Sequence, residues 1–241
     1  MSPSDRTDKR QALKRAGSDI VALTAPVFEQ LALIANAAQA MQLAEATATG
    51  ALRAEDLEIL ERVSVAAIEQ TELITGAGMA AISSEHPNAG TMSWWILRGP
   101  NITSKRHILN PGSDSYYDFS HSRWFQVPAE RGVAMLIAPY VDSWGTDDLT
   151  VTAAHPLRAG GSSITTVVAA DLDTRLYLRK VEDLLRPSSS AALVDGENRV
   201  VVSTLPDLET GIRLSTIKSV SVQDRVDLPV LGWSVVSLVS S

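Results

Sequence analysis

Between residues 116 and 171, aromatic rings and carboxylates interleave. The run holds Tyr116-Tyr117-Asp118-Phe119, then Ser122-Arg123-Trp124-Phe125, then Pro139-Tyr140-Val141-Asp142, and it closes on Asp171 at the end of the apolar segment that starts at Ile164. Phe, Trp and Tyr together make up only 5% of the 241 residues, so their gathering here points to a lined pocket. Aromatic faces attract cations, and a carboxylate withdrawn from water needs a positive partner. The chemistry read from these residues is the capture of a small molecule that carries a positive nitrogen. Trp124 is read as a pocket wall and Tyr117 as pocket-facing. Tyr140 and Asp142, two residues apart, share a sheet face if extended. Asp171 either meets the ligand or caps the helix that follows it. Trp94 and Trp95 must point opposite ways in a strand, and Trp95 is taken as the one that faces the pocket.

Other chemistries find little support. The chain has no cysteine, which removes thiolate zinc sites, thiol nucleophiles and CxxC redox chemistry. Its four histidines, His86, His107, His121 and His155, show no i, i+4 pair, so no metal is expected. Asp118, His121 and Ser122 lie too close in sequence for a nucleophile-base triad, and no GxSxG elbow is present. Gly76-Ala77-Gly78 lacks the further glycines and lysine of a phosphate loop. No cofactor and no enzymatic activity are expected. With 21 basic and 28 acidic residues, the net charge of -7 disfavours direct contact with nucleic acid.

The elements that must position these residues follow from periodicity. Ile20, Leu23, Val27, Leu31, Ile34, Ala38 and Met41 recur at helical steps; because Pro26 is tolerated in a first turn, the helix is expected to start near Thr24 as N-cap, with the preceding residues in a separate short helix. A second helix is expected from Ala54 to about Ile74, with Leu57, Leu60, Val63, Ile68 and Leu73 on its apolar side. Strands follow over 79–82, 93–98, 104–109, 133–138, 149–155 and 164–170, joined by connections too short for parallel crossovers, so the sheet is antiparallel. Residues 126–131 read as a short helix or turn, and 158–163 as a hairpin turn. A helix over 173–186 leads to Pro187-Ser188-Ser189-Ser190, a linker. Beyond it come a hairpin around Asp195-Gly196-Glu197-Asn198 and two strands over 220–226 and 233–239. The expected organisation is an N-terminal helical segment over 1–50, a ligand-binding module over 51–186 and a small second β module over 187–241. No run of ~18 unbroken apolar residues marks a membrane span, no secretory signal is visible, and the expected compartment is the cytoplasm.

The order of these segments resembles the Cache family of sensor domains, whose modules have a PAS-like sheet. The resemblance rests on Tyr117-Asp118, Ser122-Arg123-Trp124-Phe125, Pro139-Tyr140-Val141-Asp142, Thr150-Val151-Thr152 with His155-Pro156, and Asp171. Later, Leu193-Val194-Asp195-Gly196 and Gly232-Trp233-Ser234-Val235-Val236 look like the two ends of the second module of a double-Cache arrangement. The resemblance implies an α+β fold: N-terminal helices, a PAS-like antiparallel sheet module, and a smaller, truncated second module. In amino-acid-binding members, an Arg two residues before the motif Trp holds the ligand carboxylate, and acids near the positions of Asp142 and Asp171 receive its ammonium. Carried across, Tyr117, Trp124, Tyr140, Asp142 and Asp171 match. Ser122 stands where the Arg is expected, and Phe125 where a Tyr is expected. A hydroxyl cannot supply the bidentate charged clamp of a guanidinium. Arg123, read as the next residue of an extended segment, points away from the pocket.

The resemblance therefore implies a non-enzymatic sensor for a small amine first and an amino acid second. It would signal to a separate partner, with a transcriptional regulator as the candidate. The alternative is a structural or docking protein with a vestigial pocket, whose N-terminal helices form a homodimer or bind a partner.

Overall fold

The computed structural model describes residues 3–41, 43–141, 149–157, 163–188 and 190–240. The fold is α+β, with a long N-terminal helix followed by antiparallel sheet modules. It divides into two compact units, one of Met1–Ala25, Ala138–Tyr140 and Thr174–Ser241, the other of Pro26–Ile137 and Val141–Asp173. This differs from the division read from sequence. The N-terminal helix does not stand apart, and the second boundary falls at Thr174, not at the Pro187–Ser190 linker, of which Ser189 lies outside the described residues.

A single helix, α1 (Pro3–Gln39), runs through Pro26 where the sequence predicts a start near Thr24. Leu13, Ala16, Ile20, Thr24, Val27, Leu31, Ile34 and Ala38, spaced three or four apart, are all nearly or fully buried. An internal proline costs roughly 3 kcal/mol. Burying Leu13, Ile20, Val27, Leu31 and Ile34 contributes about 1.5–3 kcal/mol each. The stripe outweighs the proline, and the helix continues. An 18-residue stretch within Thr7–Gln39 has a mean hydropathy of 1.5, so by length and composition alone the helix is long and apolar enough to cross a membrane. A search for unbroken apolar runs misses this because Glu29-Gln30 and Asn36 interrupt it.

The larger unit continues with α2 (Leu43–Thr49) and α3 (Ala54–Gln70). Gly50, at φ +74°, ends α2 with its N–H on the Ala46 carbonyl, 2.8 Å. The strands are β1 (Ile74–Ser83), β2 (His86–Arg98), β3 (Asn101–Lys105), β4 (Met135–Val141), β5 (Leu149–Leu157) and β6 (Ile164–Leu172), in the order β3-β2-β1-β6-β5-β4. Pro87, Asn88 and Gly90, residue types that favour turns between strands, lie inside β2, and 158–162 of the expected hairpin turn fall outside the described residues. Helix α4 (Arg123–Arg131) packs on β5 and β6, and α3 packs on β1 and β2.

In the other unit, α5 (Thr174–Leu185) buries Tyr177, Val181 and Leu185 completely. The Tyr177 ring lies 6.4 Å from that of Trp233, and its hydroxyl is 3.4 Å from Thr24 Oγ1. Burial pushes this phenol above its ordinary range. A four-stranded sheet, β8-β7-β10-β9, is built from β7 (Ala191–Val194), β8 (Val200–Ser203), β9 (Val220–Leu228) and β10 (Trp233–Ser240). Its β7–β8 turn is held by buried Asp195, whose Oδ1 accepts from the N–H groups of Glu197 and Arg199, each at 2.8 Å. Asp195-Gly196 is thus a structural turn.

Candidate functional site

The site is built on one face of the six-stranded sheet. In an antiparallel ladder, paired residues point to the same side, and the next pair but one rejoins them. Gly76 pairs with Ile96 on β2 and with Asp171 on β6, and Asp171 pairs with Thr152 on β5. The neighbouring row of the same face is Gly78, Trp94, Ala169 and Ala154. In these two rows β1, β5 and β6 contribute Gly76, Gly78, Ala154 and Ala169 beside Thr152 and Asp171, so larger groups can lie close to the strands. A Cβ on Gly76 would sit 2.9 Å from Trp94 Nε1. The Trp94 indole therefore lies over the residue that is Asp171's direct partner.

Rings from the 117–125 segment cover this face. Trp124, at the start of α4, lies with its ring 5.9 Å from that of Trp94. Its Nε1 donates to the Tyr117 hydroxyl at 3.1 Å. Phe119 and Phe125 complete the cluster at 5.1 Å from each other, and at 6.4 and 5.8 Å from Trp124. Phe119 is seated over Gly90, where an added Cβ would meet its Cζ at 2.7 Å. Tyr117, Phe119, Trp124 and Phe125 are all buried. The His107 imidazole stacks on Tyr117 at 4.9 Å and 29°.

The turn between Tyr117 and Trp124 is knotted by Asp118. Its Oδ1 accepts from Ser120 N–H at 3.2 Å and from Ser120 Oγ at 2.6 Å, while its Oδ2 meets His121 Nδ1 at 2.6 Å. Partial burial opposes the Asp118 charge, but the bonds from Ser120 and His121 prevail and hold the carboxyl below its usual range. Ser120 Oγ is also 3.3 Å from the same His121 Nδ1. In a catalytic triad the acid and the nucleophile use opposite ring nitrogens, so this cluster is a turn and not a nucleophile site. Among the described residues there is no group of three or more His, Asp or Glu that could hold a metal ion.

The structure gathers Tyr117, Trp124, Phe125 and Asp171 in one unit, with Trp124 and Asp171 on elements that pack together. Asp171 lies within β6 and not at its end, with Oδ1 accepting from Thr152 Oγ1 at 2.7 Å. Its carboxylate is thus engaged within the sheet. Trp95 pairs with Ala77 and Ser104 and points to the opposite face. Trp94, not Trp95, shares the face of Asp171, a correction that only strand register supplies. Ser122 is the N-cap residue of α4, yet its side chain makes no capping bond. Arg123 opens that helix, so the alternation argument used for it does not apply: residues 123–131 wind at about 100° per residue. Tyr140 lies on β4 among the three residues that belong to the other unit, and Asp142 lies outside the described residues. His107, Phe119, Thr152 and Trp94 were missed by sequence reasoning. The Gly76-Ala77-Gly78 spacing, small residues on one face of a strand, was the available signal for Trp94.

No protein-family model matches the chain, and no curated protein matches its sequence. Solved structures do. Methyl-accepting chemotaxis protein X covers 100% of both chains at 15% identity, with a TM-score of 0.62. The ligand-binding domain of the Pseudomonas aeruginosa PAO1 amino acid chemoreceptor PctB, in complex with L-Arg, covers 96% of this chain and 86% of its own at 18% identity and TM-score 0.59. That of the chemoreceptor PctC from the same organism, in complex with GABA, covers 99% and 100% at 16% identity and TM-score 0.54. The chain has the fold of a chemoreceptor ligand-binding domain. At such low identity the likeness carries the arrangement of helices and sheets, and the side chains must speak for the site.

Proposed function

We propose that the chain is a non-enzymatic sensor domain of the Cache type that binds a small amine, or secondarily an amino acid, on the sheet face bearing Asp171. One observation carries this reading. The Asp171 carboxylate and the Trp94 indole are neighbours on a face of small residues, and Trp124 lies against Trp94. An anionic oxygen supplies charge, and the ring faces add about 0.5–2 kcal/mol of cation–π attraction, depending on desolvation. The ligands seen in the PctB and PctC complexes, L-Arg and GABA, both carry an ammonium. Ser122, at the first turn of α4, offers a hydroxyl and no fixed positive charge, which favours ligands whose ammonium matters more than their carboxylate.

Ligand binding would order the 117–125 segment and bias its packing, by no more than the ligand's differential affinity for the two arrangements. The output passes to a separate partner. The similar structures belong to chemoreceptors and to a protein named as a histidine kinase, and lend no support to a transcriptional regulator in that role. Isothermal titration of wild type and Trp124→Ala with L-amino acids, 4-aminobutyrate, ethanolamine and putrescine tests the reading. Saturable binding by wild type that Trp124→Ala loses is expected. Silence across the panel, or identical isotherms for the two proteins, overturns it.

A further inference from the structure

His107 has no part in the reading above, yet its placement ties it to the same site. It lies two residues beyond Lys105, which pairs with Trp94 across β2 and β3. Its segment is bound to the aromatic one by the Tyr117 N–H donating to the Ile108 carbonyl at 2.8 Å. Its ring stacks on Tyr117, whose hydroxyl oxygen already accepts from Trp124. His107 Nδ1 is buried and has no hydrogen-bond partner. A buried polar atom without a partner is costly, and native proteins leave few of them without a purpose.

The ring is neutral at physiological pH, because burial, assisted by the nearby Lys105 charge, pulls its pKa down to about 4. A neutral imidazole has one bare nitrogen that can accept a hydrogen bond, and it does not repel a cation. Indole N–H groups, by contrast, can only donate. An ammonium with N–H groups needs acceptors: the Asp171 carboxylate lies on the face of Trp94, and the His107 imidazole stacks on the Tyr117 ring whose hydroxyl Trp124 bonds.

We propose that His107 is a specificity-determining residue of this site, accepting a hydrogen bond at Nδ1 from an N–H of the bound ammonium. The ligand is then an amine that retains N–H, in preference to a fully methylated ammonium. The proposal rests on the amine-sensor reading and adds to it a named contact and a ligand class.

The test compares wild type, His107→Phe and His107→Gln by isothermal titration against 4-aminobutyrate, L-arginine and ethanolamine, with choline as the counterpart of ethanolamine that lacks N–H. Phe keeps the stack on Tyr117 and removes the acceptor, while Gln keeps an acceptor. Expected is a loss of about tenfold or more with Phe for the N–H-bearing ligand that wild type binds. Affinity should be restored in part by Gln, and choline should bind wild type more weakly than ethanolamine. Equal affinities in wild type and His107→Phe, or a preference for choline, overturn this inference and leave the amine-sensor reading standing. Silence of wild type toward all four overturns both. The His107 Nδ1 nitrogen resonance of the wild-type protein gives a check that needs no variant. It should move on saturation with the bound amine, and an unmoved resonance contradicts the contact.

Discussion

Replacing Tyr117 by Phe isolates the bond that fastens the aromatic cover. The ring and its stack on His107 remain, and one oxygen is lost, the acceptor of Trp124 Nε1 at 3.1 Å. Both residues are buried, so water does not readily replace that oxygen. Leaving the indole N–H unsatisfied costs about 1–3 kcal/mol. In a chain of this length that corresponds to a fall in Tm of about 2–4 °C per kcal/mol. Near-UV circular dichroism during urea unfolding is the suitable assay, because it follows the packing of the rings themselves and does not require the two units to melt together. The double variant Tyr117→Phe with Trp124→Phe should cost less than the sum of the single changes by about 1 kcal/mol, since it removes donor and acceptor together. A Tyr117→Phe protein within about 0.3 kcal/mol of wild type, with strictly additive doubles, would refute the claim that this bond holds the cover in place.

Three further outcomes are expected. Gly90→Ala places a Cβ 2.7 Å from Phe119 Cζ and 2.9 Å from its Cε1, so the ring must shift; the expected loss is about 1–3 kcal/mol, read by chemical unfolding. His107 has a folded-state pKa near 4, below its ordinary value of 6.5, so the unfolded chain binds the extra proton first and stability falls as pH drops through that interval. Between pH 7.5 and 4.5 the contribution is about 2–3 kcal/mol, and His107→Gln should lose that much less stability than wild type over the same range. Trp95→Phe alters the opposite sheet face and removes an indole N–H that is buried without a partner, so ligand affinity measured by titration should stay within about twofold of wild type.

Much of the fold was legible because periodicity survives in the sequence. The helical spacing from Ile20 to Ala38 follows one buried stripe, and the apolar run from Ile164 marks a strand that does lie in the middle of the sheet. What failed was local. Pro26 suggested a helix start, because propensity rules cannot weigh one proline against a stripe of buried aliphatic side chains. Ser122-Arg123-Trp124 was read as extended, although it opens a helix whose first turn carries two of the rings. That error made the alternation argument about Arg123 inapplicable. The choice between Trp94 and Trp95 could not be made from the chain alone, since a one-residue change of register exchanges the faces. The close approach of Trp94 to Gly76 and of Phe119 to Gly90 accounts for two glycines inside strands, which no periodicity in the sequence explains. His107 lacked any motif; only the stack on Tyr117 and the unpartnered nitrogen draw it into the site.

The central claim is that the Asp171 carboxylate receives a positive nitrogen on the face it shares with Trp94. Its most direct measurement is the dissociation constant of the tightest-binding ammonium compound for wild type and for Asp171→Asn, each confirmed folded by its near-UV spectrum. Asparagine keeps the shape and an oxygen for Thr152 but removes the charge, so affinity should fall roughly tenfold to a hundredfold. Affinities equal within about twofold would contradict the account, because the ammonium would then be held elsewhere.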